Sequence, residues 1–149
     1  MKRFLIAGLG NPGATYEGHR HNVGFMVLDE LASRQHVTFT SGRGKSLHAK
    51  LQIDSTQLIL VKPQTFMNRS GDTLQNLVHF YRLPMEHALI VFDDLDLPTA
   101  ALRIRPFGGS AGHKGMQSII DRLGSEIIPR LRVGIDHPSS PITTAKYVL

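Results

Sequence analysis

Short, wholly apolar runs set between amphipathic stretches constrain this chain more than any other feature. Phe4-Leu5-Ile6-Ala7, Leu58-Ile59-Leu60-Val61 and Ala88-Leu89-Ile90-Val91-Phe92 contain no polar break. Runs of that length are shorter than a buried helix and lack the alternation of a half-wet strand, so each predicts a strand covered on both faces. The cover has to come from the segments between them. Val23, Val27 and Leu31, with Leu28 and Ala32 beside them, recur at helical spacing over about residues 22–34. Leu74, Leu77, Val78 and Tyr81 do the same after Ser70, a candidate N-cap, with Pro84 marking the end. Met116, Ile119, Ile120 and Leu123 form a third stripe.

Three strands of another kind complete the pattern. Leu47, Ala49, Leu51 and Ile53 alternate with His48, Lys50 and Gln52, and Asp54-Ser55-Thr56 turns this strand back as an antiparallel hairpin. Leu102 and Ile104 alternate with Arg103 and Arg105, and Leu131-Arg132-Val133-Gly134-Ile135 reads as the last strand. The alternation predicts one α/β domain: a mixed, mostly parallel β-sheet flanked by helices. A chain of 149 residues accommodates one such domain.

Composition narrows the function classes. The chain has no cysteine, which excludes disulfides and thiolate metal sites, and no stretch approaches a membrane span, so the expectation is a cytoplasmic protein with no membrane partner. The net charge of +5 is unevenly placed: residues 1–98 hold 10 Lys/Arg against 9 Asp/Glu, and residues 99–149 hold 7 against 3. A basic surplus in the last third suits one face that meets a polyanion such as nucleic acid, or simply solubility.

Polar groups follow the strands. Asn11 comes after the first, Gln64 to Asn68 after the Leu58 run, and Asp93 after the Ala88 run. Ligands of open α/β sheets sit beyond the carboxyl ends of the parallel strands, where these three segments can converge. His21 opens the first helix, whose dipole disfavours a protonated ring there and so favours a general base. Asp93 would hold its tautomer, and no serine or cysteine nucleophile motif accompanies the pair, which leaves water. Taken singly, each residue has a plainer reading: His21 as a helix-start or surface residue, residues 93–96 as a turn, Asn11 and Asn68 as turn formers. His36, His48, His79, His87 and His137 read as surface. The segment Gly8-Leu9-Gly10-Asn11-Pro12-Gly13 matches the dinucleotide pattern G-x-G-x-x-G, but Pro12, Gly13 and Gly18 keep it from opening a helix, and the acidic residues twenty positions on, Asp29 and Glu30, fall within a helical pattern.

Six ordered segments together resemble the bacterial peptidyl-tRNA hydrolase family: Gly8 to Gly13; Tyr16 to Asp29 with Arg20-His21-Asn22-x-Gly24; Thr65-Phe66-Met67-Asn68-x-Ser70-Gly71; Asp93-Asp94-Leu95-Asp96-Leu97-Pro98; Gly112-His113-Lys114-Gly115; and Arg130-Leu131-Arg132-Val133-Gly134-Ile135. The resemblance implies hydrolysis of the ester between peptide and tRNA, with His21 activating water and Asp93 orienting it. It implies that Asn11 and Asn68 hold the ester and peptide, that Tyr16 and Met67 line the cleft, and that Arg132 with its basic neighbours Arg103, Arg105 and Arg130 binds tRNA phosphates. It also implies a monomer with no metal and no organic cofactor. Lys114 stands where the family usually has asparagine; it can donate but not accept, and suits a phosphate or an oxyanion. The family continues with a further C-terminal helix beyond the position of Leu149, so a domain over residues 1–149 without that helix is expected. A non-catalytic RNA-binding relative of the same fold is the alternative; a dinucleotide-dependent oxidoreductase would rest on the Gly-rich opening alone.

Overall fold

The computed structural model describes residues 2–13 and 20–135. Seven strands form one sheet: β1 (Lys2–Gly8), β2 (Thr40–Gly42), β3 (Ser46–Ile53), β4 (Thr56–Pro63), β5 (Ala88–Asp94), β6 (Leu102–Arg105) and β7 (Arg130–Gly134), in the order β2-β3-β4-β1-β5-β7-β6. The centre, β4-β1-β5-β7, is parallel, while β3 and β6 run against their neighbours, so the sheet is mixed and mostly parallel as expected.

The apolar runs occupy the centre because only there are both faces covered. Leu5 and Ala7 face one side, where they join Ile59, Val61, Ile90 and Phe92 under α2 (Ser70–Tyr81) and α3 (Lys114–Leu123). Leu60 faces the other, beneath Leu28 and Ala32 of α1 (Val23–Arg34), with Ile6 packed beside them. At the far edge β6 is exposed at all four positions.

Ser70 is not the cap of α2. It is the first helical residue, and its hydroxyl donates back to Met67 O at 2.8 Å, completing the 3₁₀ turn Met67–Arg69 that leads into the helix. The α2 helix ends at Arg82, in the left-handed region at φ 52°, two residues before Pro84.

One close approach positions the site. A Cβ on Gly8 would lie 2.2 Å from Gly24 O, and one on Gly24 would lie 2.5 Å from Leu9 N. Two bare backbones therefore let the start of α1 cross directly over the end of β1, where Gly8 pairs with Val91 of β5. Asp93 is two residues further along β5, so the turn just before α1 is carried to the same sheet edge.

Candidate active site

His21 lies in the 3₁₀ turn Arg20–Asn22, immediately ahead of α1 rather than in its first α-turn. Its Nδ1 is 2.8 Å from Asp93 Oδ2. The other carboxylate oxygen, Oδ1, is 2.9 Å from Nε2 of His113. The proton positions follow from the next bond: Met116 N–H donates to His113 Nδ1 at 3.1 Å, the N-cap of α3. That nitrogen must accept, so Nε2 of His113 carries the hydrogen and donates it to Asp93. A carboxylate only accepts, so His21 donates from Nδ1 and carries its lone pair on Nε2. The carboxylate and His113 are buried, with side chains 5% and 4% exposed, while the His21 ring is 20% exposed.

Burial alone would raise the Asp93 carboxyl. The hydrogen bonds donated by His113 and then His21 more than offset it and hold the group down at about 2. His21, Asp93 and His113 are the trio among the described residues whose ligand-type atoms come within 4.8 Å of one another. The donor set fits a proton relay better than a metal: a cation would need the lone pair of His113 Nε2, which holds a proton as long as Nδ1 caps α3.

Asn11 is fixed from two sides. Asn22, 5% exposed, takes Asn11 N–H on Oδ1 at 2.8 Å and returns Nδ2–H to Asn11 O at 2.9 Å. The Asn11 side chain accepts Met67 N–H on its own Oδ1 at 2.8 Å, which leaves its Nδ2 as a donor. Met67 is buried against α3: a Cβ on Gly115 would lie 2.5 Å from its Sδ and 3.0 Å from His113. His21, Asp93, Asn11 and Met67 thus belong to one connected cluster. Asn68 and Lys114 are exposed at its border, each one residue from a member. Tyr16 and His137 lie outside the described residues.

The basic residues divide. Arg103 and Arg105 are exposed on β6, opposite Arg132 and Arg130 of β7. Arg132 is partly open, its side chain 17% exposed, with Nη1 3.6 Å from Asp94. Arg130 is 0% exposed, and its guanidinium donates to Glu126 O, Ile128 O and Gly109 O. It is therefore not available to a phosphate, a correction to the sequence reading. His48 and His87 are also less exposed than expected; the His87 ring stacks on Phe4 at 4.1 Å.

Sequence reasoning missed His113 and Asn22. Both stand beside assigned residues, and the usable signal for His113 was its place directly before a helical stripe, where a side chain that accepts hydrogen bonds caps the helix.

Residues 5–149 match the family model for peptidyl-tRNA hydrolase. The chain belongs to the peptidyl-tRNA hydrolase family. It is 52% identical over 136 residues to the peptidyl-tRNA hydrolase of Carboxydothermus hydrogenoformans, spanning 91% of this chain and 73% of that one. It is 50% identical over 147 residues to the chloroplastic peptidyl-tRNA hydrolase of Arabidopsis thaliana, of which it spans 51%. The crystal structure of peptidyl-tRNA hydrolase from Acinetobacter baumannii superposes with a TM-score of 0.90 at 35% identity, over 97% of this chain and 74% of that one. Membership in a family of carboxylic ester hydrolases sets aside the dinucleotide reading of the Gly-rich segment. Among the described residues, no helix is long and apolar enough to cross a membrane.

Proposed function

We propose that this chain hydrolyses the ester bond between peptide and tRNA in peptidyl-tRNA, returning free tRNA. The observation that carries the reading is the Asp93 carboxylate held between two imidazoles, one of them locked in a single tautomer. His21 Nε2 takes a proton from water as the oxygen attacks the ester carbonyl. The resulting imidazolium is stabilised by Asp93, and it returns the proton to the ribose oxygen as that oxygen leaves. Asn11 Nδ2, the exposed amide of Asn68 and the Lys114 ammonium are the donors available to the developing oxyanion. Arg103, Arg105 and Arg132 grip tRNA phosphates at the β6–β7 edge of the sheet, and Met67 lines the cleft wall. The protein works as a cytoplasmic monomer, without metal or organic cofactor.

The test is release of tRNA from N-acetylaminoacyl-tRNA by the 149-residue chain and by its His21→Ala variant. Turnover is expected from the first and a loss of at least about 10²-fold from the second, the usual contribution of a positioned base. Full turnover by the variant would remove His21 from the chemistry.

A further inference from the structure

Arg130 carries a full charge into the protein interior, and among the described residues no carboxylate forms an ion pair with it, Glu126 acting on it only through space. Instead the guanidinium divides its donors among backbone carbonyls: Nε to Ile128 O at 3.1 Å, Nη2 to Glu126 O at 3.2 Å and Nη1 to Gly109 O. Gly109 lies in the loop that enters α3, while Glu126 and Ile128 lie in the segment that leaves it. Gly108 N–H adds a bond to Glu126 O at 3.0 Å, so the two segments are tied around one planar group. A fork of fixed geometry suits this task, since it spans three acceptors at once.

The loop needs such support. Gly108, Ala111 and Gly112 have φ of 145°, 53° and 78°. Ala111 is not a glycine, so its left-handed backbone has to be held by its surroundings. Beyond the Arg130 contact, Ser110 O accepts His113 N–H at 3.0 Å, and His113 then meets both Met116 N–H and Asp93. A continuous path therefore runs from the buried guanidinium to the carboxylate behind His21.

We propose that Arg130 is a positioning residue: a strut that fixes the loop of residues 108–112, and through it the ring of His113 against Asp93. The proposal rests on the hydrolase reading above for its catalytic consequence, but not for its structural one. It also separates Arg130 from Arg132, two residues away, whose partly open side chain remains available to phosphate.

The experiment compares Arg130→Met and Arg130→Lys with the unmodified chain. It follows kcat, KM and the salt dependence of KM on N-acetylaminoacyl-tRNA, and reads the His113 tautomer from nitrogen NMR of the imidazole. Methionine fills the space without donors; kcat is expected to fall at least about tenfold, with KM and its salt slope unchanged within about twofold. The single-tautomer signature of His113 should be lost in parallel. Lysine, which keeps the charge but offers a point donor, should give an intermediate loss. A raised KM with a shallower salt slope and unchanged kcat would make Arg130 a phosphate contact and overturn the proposal. So would unchanged kcat and an unchanged tautomer. If the methionine variant does not fold, the lysine variant decides: native kcat and a native tautomer would overturn the strut. If the unmodified chain releases no tRNA, the hydrolase reading fails, while the NMR comparison still judges the strut.

Discussion

Replacing Asp93 with asparagine tests the relay at its centre with almost no change of shape. The carboxylate accepts from His21 at 2.8 Å and from His113 at 2.9 Å, whereas an amide has one accepting oxygen. His113 cannot yield, because turning its tautomer would strand the buried Met116 N–H, at a cost of about 1–3 kcal/mol. The amide oxygen therefore stays with His113 and the NH₂ faces His21, which must then accept on Nδ1 and carry its proton on Nε2. That is the wrong nitrogen for a base. Restoring the working tautomer costs roughly 1.5 kcal/mol in lost hydrogen bonding. The imidazolium would also lack its counter-charge, about 4 kcal/mol for unit charges ~4 Å apart at an effective dielectric of about 20. Together these correspond to about a 10⁴-fold loss of kcat, similar to the effect of the same substitution in serine-hydrolase triads. Single-turnover release of tRNA from N-acetylaminoacyl-tRNA at saturating protein measures it, with thermal unfolding as the control for integrity. A loss smaller than about tenfold in a folded Asp93→Asn variant would refute the tautomer argument.

Three further outcomes are expected. His113→Phe, which removes both the α3 cap and the bond to Asp93, should cost about 1–2 kcal/mol in denaturant unfolding and lower kcat while leaving KM unchanged. The Asp93 carboxyl is depressed from 3.8 to about 2 in the folded protein, so its stabilisation is present above about pH 4 and is lost as pH falls toward 2. Acid titration of the unfolding free energy should therefore show a decline of about 2 kcal/mol there that Asp93→Asn lacks. Gly8→Ala places a methyl group 2.2 Å from Gly24 O and should lower stability by roughly 1–3 kcal/mol, read as a drop in Tm.

The sheet was legible because its centre is buried on both faces, and unbroken apolar runs such as Ala88 to Phe92 have few other uses. The His21–Asp93 pair was legible because both residues sit at the ends of predicted elements on one edge. His113 was not, since its function depends on a helix start meeting a strand end twenty residues earlier in sequence, and no periodicity encodes that meeting. Arg130 misled for a related reason: in sequence it is one of several arginines in a basic third, and only the packing of the loop around residue 109 takes it out of water. Asn22 was hidden because its partner is the backbone of Asn11, and backbone groups leave no trace in side-chain patterns.

The order β4-β1-β5-β7 has a consequence for how the chain acquires its chemistry. The proposed base stands at residue 21, the carboxylate it meets at 93 and the ring of His113 twenty residues further on, so pairing of β1 with β5 must close a long loop before the first two can meet. Emerging from a ribosome, the first ninety residues would display an imidazole with nothing to orient it. Hydrolytic competence should therefore arise in one late step, coincident with docking of α3, and restored turnover after dilution from denaturant would serve as a clock for completion of the whole domain.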